Sequence, residues 1–303
     1  MNAFGQKLGR VLIPMVTPFH EASEDINFPL AEQLVDHLIA TNACDTIIVA
    51  GTTGEFNVLL PEERIELMRV VQSAAAGRVP LVAGTGAAST REAVRLTKEA
   101  ERLGYSAAMI VAPYYCKPTQ EGIYRHYARL AASTEIPILL YNIPLFTGVN
   151  IDPQTVARLS KIDTIVGIKD EAGLNPTQMT EYRRVAGNDF TIYNGDDIMI
   201  LCGLIQGAAG VVSGGAHLAP RHIRTMIESF YAGDMAKAAA IHHALDPLFK
   251  AFCPNHRVNP MPVLRAALEL TGWKVGPARM PLDAATPDEI AAIQQELIRL
   301  NIL

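Results

Sequence analysis

TIVGIKD, residues 164–170, is an apolar run that ends in a charged pair, Lys169 and Asp170. Its length and its Val/Ile content are those of a strand buried on both faces of a parallel sheet. Seven other runs have the same character: VLIPMVTPF (11–19), TIIVAGTTGE (46–55), VPLVAGTG (79–86), AAMIVAPYY (107–115), PILLYNIP (137–144), FTIYNGDD (190–197) and AAGVVSGGA (208–216). Amphipathic segments lie between them. PEERIELMRVVQSAAA opens on Pro61, a good first-turn residue, and carries acids in that turn. STREAVRLTKEAERLG starts at a Ser/Thr cap and stops at Gly104. Further helices are expected near 120–133, 152–160, 175–186 and 219–232. Strand then helix, about eight times over, predicts a (β/α)₈ TIM barrel, with a doubly wound open sheet as the alternative. The barrel is preferred for the repeat count and for the polar residues that close nearly every strand: Thr17, Thr52, Thr53, Tyr114, Tyr115, Tyr141, Lys169, Asn194, Asp196 and Ser213. Barrel active sites sit on that face. After residue 232 the sequence is helical without strands (GDMAKAAAIHHALDPLFKAF, NPMPVLRAALELTG, TPDEIAAIQQELIRL). The predicted organisation is a barrel over 1–232 and a C-terminal helical appendage over 233–303.

The composition of the 303 residues, 49% hydrophobic and 19% charged, is that of a soluble globular protein. A net charge of -5 and the lack of a basic run argue against nucleic-acid or membrane partners. The fully apolar stretches are strand-length, too short to span a bilayer. The opening MNAFGQKLGR lacks a signal-peptide pattern. Cys44, Cys116, Cys202 and Cys253 form no C-x-x-C pair and read as reduced thiols. The expected location is the cytoplasm.

A lysine closing a buried strand is costly unless it is paired or neutral. Desolvation favours the free amine, which is a nucleophile toward carbonyls. Strand alternation puts Ile165, Gly167 and Lys169 on one face and Val166, Ile168 and Asp170 on the other. Gly167 is expected to leave space beside the amine. If the runs at 137–144 and 164–170 are neighbours, about 4.8 Å apart, Tyr141 and Lys169 both point into the barrel mouth. A phenol there is a plausible proton shuttle. The purely structural reading pairs Lys169 with Asp170 or Glu55 and makes Tyr141 a core aromatic. GTTGE (51–55) can present hydroxyls and N–H groups to an anion, or serve as a generic turn. SGGA (213–216) can bind phosphate or a substrate carboxylate, or simply admit close backbone packing. His242 and His243 are adjacent on a helix and His217 lies alone near a strand end, a pattern of surface or supporting histidines rather than metal ligands.

Taken together, GTTGE (51–55), PYYCKPTQEG (113–122), YNIP (141–144), GIKD (167–170), NGDD (194–197), GVVSGGA (210–216) and NPMPV (259–263) resemble the dihydrodipicolinate synthase / N-acetylneuraminate lyase family over nearly the whole chain. The resemblance implies a class I aldolase or lyase in which Lys169 forms a Schiff base with pyruvate or another 2-oxo acid. It implies that Tyr141 relays protons, that Thr52 and Thr53 hold the pyruvate carboxylate, and that Thr53 links to Tyr141. Gly51, Val212, Ser213, Asp196 and Phe146 are the further expected substrate contacts. Tyr115 matches a tyrosine inserted into a neighbouring subunit's site, which implies a homodimer or homotetramer. No metal or other cofactor is implied.

Two positions depart from the best-known members. Phe146 stands where the synthases usually carry an arginine for the aldehyde's carboxylate, and Ile198 where the lyases usually carry a glutamate. GEF (54–56) resembles the 2-keto-3-deoxy sugar-acid enzymes. The leading expectation is therefore a pyruvate aldolase for a 2-keto-3-deoxy sugar-acid type substrate. The alternatives are 4-hydroxy-tetrahydrodipicolinate synthase with another residue replacing the arginine, a keto-deoxy sugar-acid dehydratase, and a non-catalytic 2-oxo acid binder.

Overall fold

The computed structural model describes residues 1–171, 173, 175–254 and 257–303. Eight parallel strands close into a barrel in sequence order: β1 (Val11–Pro14), β2 (Thr46–Val49), β3 (Leu81–Gly84), β4 (Ala107–Val111), β5 (Ile138–Asn142), β6 (Ile165–Asp170), β7 (Thr191–Asn194) and β8 (Gly210–Val212). The helices are α1 (Ala3–Leu8), α2 (Phe28–Ala40), α3 (Pro61–Ala75), α4 (Thr90–Arg102), α5 (Gln120–Ala131), α6 (Pro144–Thr147), α7 (Pro153–Leu159), α8 (Gln178–Ala186), α9 (Ile200–Ile205), α10 (Pro220–Tyr231), α11 (Met235–Ala251), α12 (Met261–Leu270) and α13 (Pro287–Arg299). The expected (β/α)₈ barrel with C-terminal helices is the fold. Among the described residues, no helix is long and apolar enough to cross a membrane.

The strands divide the core into two clusters because successive side chains point to opposite faces. Leu12, Ile48, Val82, Met109, Leu139 and Tyr193 fill the barrel interior. Ile47, Ile110, Ile168 and Ile192 face the helices, in one cluster with Leu248 and Leu264 from the C-terminal helices. The sequence reading missed α1, which closes the N-terminal end of the barrel. Asn2 caps it, its side-chain oxygen accepting from the Gly5 N–H at 2.8 Å. Leu8 and Phe4 then pack into the interior cluster. The Leu8 carbonyl accepts from the Thr46 hydroxyl at 2.6 Å and the Gly9 carbonyl from the Tyr193 hydroxyl at 2.9 Å. Ser89 precedes α4 as expected, but its side chain makes no capping hydrogen bond.

One strand departs from simple alternation. Ile138 pairs with Ile165 but Leu139 pairs with Gly167, so Val166 is an extra residue in β6. A bulge of this kind resets which side chains face inward. Ile165 therefore lies in the outer cluster and Val166 packs against the inner one, opposite to the expectation. Beyond the bulge the expected pairing holds, with Tyr141 opposite Lys169.

The C-terminal helices are tied to the barrel mouth by a buried ion pair. Arg265 on α12 donates to Glu55 at 2.6 Å and to the Thr17 carbonyl at 2.6 Å. Both side chains are 2% exposed. Burial raises the Glu55 carboxyl and lowers the Arg265 guanidinium, and each partner pulls the other back. Such a pair adds little net stability, yet removing one partner costs about 3–5 kcal/mol because a charge is left buried alone. Arg265→Ala is expected to lose about that much in urea unfolding, with much of it restored in Arg265→Met/Glu55→Leu. A loss below about 1 kcal/mol for the single variant, the range of exposed pairs, would rule out this picture of the tie.

Candidate active site

Lys169 is the next-to-last residue of β6, at the C-terminal mouth of the barrel, and is 5% exposed. Its ammonium nitrogen lies 4.0 Å from the centroid of the Tyr141 ring. Its ion-pair partner is neither Asp170 nor Glu55, the two expected from sequence. It is Glu171, whose Oε2 lies 3.2 Å from Nζ. Asp170 points outward as alternation requires and accepts from Asn142 at 2.9 Å. Burial pushes the Asp170 carboxyl up to about 6, with the Asn142 and Gln178 amides opposing. The space beside the amine comes from Gly195, not Gly167. A methyl at 195 would lie 2.4 Å from Lys169 Cε, whereas one at 167 would strike the Thr191 carbonyl at 2.3 Å.

The Tyr141 hydroxyl donates to Glu171 Oε2 at 2.9 Å and accepts from Thr52 Oγ1 at 3.3 Å. The threonine linked to the tyrosine is thus Thr52, where Thr53 was expected. Burial first, and the Glu171 carboxylate second, hold the phenol well above its ordinary pKa. It therefore stays a neutral hydroxyl.

These groups open into a cavity of about 380 Å³, also lined by Thr53, Phe146, Asp196 and Val212. That is large enough for a small metabolite. Two expected contacts, Gly51 and Ser213, lie elsewhere. Gly51 sits under Thr52 in a narrow crevice beside Phe56. The Ser213 hydroxyl is fully buried and bonded to Asp197, whose other oxygen accepts from the Gly215 N–H at 2.7 Å. Burial raises the Asp197 carboxyl to about 6, with the Ser213 and Gly215 donors opposing. Tyr115 is 93% exposed and does not reach its own chain's cavity. The cavity wall also holds Phe249, Lys250, Cys253, Met261 and Leu264 from the C-terminal region, which sequence reasoning did not place there. Glu171 was missed as well, although it directly follows GIKD. His217 is half-buried and lies outside this cavity, its Nε2 accepting from the Val16 N–H at 3.3 Å. Among the described residues, no three His, Cys, Asp or Glu side chains are arranged to hold a metal ion.

Asp196 links the cavity to stability. Burial, then Glu171 and Asp197, push its carboxyl from 3.8 up to about 7. Between those values the native state holds a proton that the unfolded chain has released, so stability falls as pH rises. The contribution is fully present below about pH 4 and lost by passage through about 7. Asp196→Asn is therefore expected to melt higher than the parent at pH 8, with the margin shrinking toward pH 4. A margin that does not change with pH would show that Asp196 does not titrate in this range.

The sequence matches the Dihydrodipicolinate synthetase family over residues 7–299. The chain belongs to this family. It is an enzyme of the lysine Schiff-base type. Among curated members it is 44% identical over 295 residues to the 4-hydroxy-tetrahydrodipicolinate synthase of Synechococcus sp. (strain JA-2-3B'a(2-13)), covering 97% of this chain and 94% of that one. It is 46% identical over 281 residues to that of Desulforudis audaxviator (strain MP104C), covering 93% and 94%. Among solved family structures, DHDPS from Cyanidioschyzon merolae with lysine bound superposes with a TM-score of 0.93 at 40% identity, covering 98% of this chain and 99% of that one. The relatives' names favour the synthase, an alternative in the sequence reading, over the sugar-acid aldolase placed first.

Proposed function

We propose that this protein condenses pyruvate with aspartate semialdehyde through a Schiff base on Lys169, the reaction of a 4-hydroxy-tetrahydrodipicolinate synthase. The observation that carries the reaction class is the buried Lys169 amine, 4.0 Å from the ring centroid of a tyrosine whose hydroxyl faces the same cavity. In this reading the amine attacks the pyruvate ketone and water leaves, giving an iminium. The Thr52 and Thr53 N–H groups, which donate no hydrogen bond among the described residues, hold the carboxylate. The iminium draws electrons from the methyl carbon, which loses a proton to give an enamine. The enamine carbon then bonds the aldehyde carbon, and Tyr141 delivers a proton to the new alkoxide.

The choice of aldehyde rests on the curated relatives and on the charges around the cavity. Aspartate semialdehyde carries an ammonium and a carboxylate. Glu171 and Asp196 suit the first. Phe146 cannot grip the second, but Lys250 on α11 also lines the cavity, paired with Asp246 at 2.8 Å. Lys250 is the residue assigned to replace the absent arginine. Phe146 itself favours a second reading, a neutral hydroxy-aldehyde released from a 2-keto-3-deoxy acid. Initial rates separate the two. Turnover of pyruvate plus aspartate semialdehyde is expected, with Lys250→Ala raising KM for the semialdehyde about tenfold, the scale of one charge-assisted hydrogen bond. Pyruvate release from a 2-keto-3-deoxy sugar acid, without semialdehyde turnover, would reverse the assignment.

The exposed Tyr115 fits a role in a second copy's site. Its φ of 70° and the φ of 45° at Lys117 hold the loop in the left-handed region, which costs about 1–2 kcal/mol per residue. A dimer or tetramer in sedimentation is the expected state.

A further inference from the structure

Glu171 touches both groups of the proposed chemistry with one oxygen. Its Oε2 lies 3.2 Å from Lys169 Nζ and accepts the Tyr141 hydroxyl at 2.9 Å. The backbone places it there, since the Glu171 N–H donates to the Asn142 carbonyl at 2.9 Å and so extends the β5–β6 ladder one residue past Asp170. Gly195 leaves the room, because a methyl at 195 would lie 3.2 Å from Glu171 Cβ. A phenol has one proton to donate, and that of Tyr141 goes to Glu171. The proton path visible within this chain therefore runs from tyrosine to glutamate.

We propose that Glu171 is a catalytic base and acid that closes the proton relay of Lys169 and Tyr141 within one chain. The inference rests on the reading of Lys169 as the Schiff-base lysine. An ammonium cannot attack a ketone, so Glu171 first takes a proton from Lys169. The amine adds to the pyruvate carbonyl carbon, and the carbonyl oxygen takes a proton from Tyr141, which is refilled from Glu171. Glu171 then removes a second proton from the carbinolamine nitrogen and returns it through Tyr141 to the hydroxyl, which leaves as water. The sum is one ammonium plus one ketone giving one protonated imine plus water, with Glu171 again a carboxylate. In the next step a methyl proton passes to Glu171, leaving the enamine. That proton goes through Tyr141 to the aldehyde oxygen as the carbon–carbon bond forms. A carboxylate acting only as a counter-ion would need none of these transfers.

The test uses pyruvate alone in deuterated water, so it does not depend on the aldehyde. The rate of methyl exchange read by NMR reports enamine formation. Glu171→Gln keeps the size and the acceptor for Tyr141 but cannot carry a proton. It is expected to slow exchange at least about 100-fold, with the rate climbing steadily toward alkaline pH as solvent base takes over. Glu171→Asp is expected to recover part of the rate. The other ionisable groups facing Glu171 across the cavity are Lys169, Tyr141, Asp196, Asp197, Lys250 and Cys253, and all are unchanged in both variants. Exchange within about threefold of the parent, with an unaltered pH profile, would reduce Glu171 to a counter-ion. Borohydride trapping of the parent with pyruvate separates this failure from a deeper one. An adduct on Lys169 with normal Glu171→Gln exchange overturns only the role of Glu171. No adduct on Lys169 in the parent overturns the lysine reading and the relay with it.

Discussion

Lys169→Ala is expected to lower pyruvate methyl exchange and carbon–carbon bond formation by about four orders of magnitude or more, the scale of removing a covalent nucleophile. That corresponds to about 5 kcal/mol of lost transition-state stabilisation. The barrel is expected to stay folded. Glu171 loses its cation, but its side chain is 27% exposed toward the cavity and water can replace the partner. Lys169→Arg sharpens the result. The guanidinium keeps the charge beside Glu171 but stays protonated and cannot form an imine. Both variants should therefore be equally inactive while their melting temperatures differ. An arginine variant with more than about a tenth of parental exchange would mean that the charge matters and the covalent bond does not.

Tyr141→Phe comes second in size. It keeps the ring beside Lys169 and its packing in the barrel interior, and it removes only the hydroxyl that joins Thr52 to Glu171. General acid–base contributions run to about 10²–10⁴-fold, so kcat is expected to fall within that range. The KM for pyruvate should change little, because the phenol is assigned to moving protons and not to holding the carboxylate. Steady-state kinetics on the folded variant provide the check. A loss of less than tenfold in kcat, or one confined to KM, would move the proton transfers to another group.

How much of this could be read from the sequence depended on whether the deciding contact was local. Eight apolar runs and the period between them gave the barrel, because a strand buried on both faces needs continuous apolar sequence whatever its neighbours. Tyr141 and Lys169 were legible for the same reason, since each closes such a run. The short helix α1 was not, because only Phe4 and Leu8 mark its buried side and their partners lie across the barrel floor. The extra residue at Val166 was invisible, as an unbroken apolar run carries no sign of a one-residue shift. Gly167 looks like the source of the space that Gly195 supplies, since one lies on β6 and the other just past the end of neighbouring β7, and only three dimensions tell which one meets the lysine. Thr52 and Thr53 were correctly placed at the mouth, but a turn's dihedrals decide which hydroxyl reaches the phenol. Glu171 lay one residue beyond the motif and out of the alternation argument. Phe146, Ile198 and GEF (54–56) point away from the synthase only while Lys250, about a hundred residues after Phe146, is out of view, and only the fold brings it to the same cavity.

Borohydride reduction in the presence of pyruvate, followed by peptide mapping of the adduct, tests the Schiff base on Lys169 directly. One reduced pyruvyl group per chain is expected, on the peptide holding Lys169, and none in Lys169→Ala. An unmodified Lys169 peptide, or an adduct on any other lysine that persists in Lys169→Ala, would contradict it.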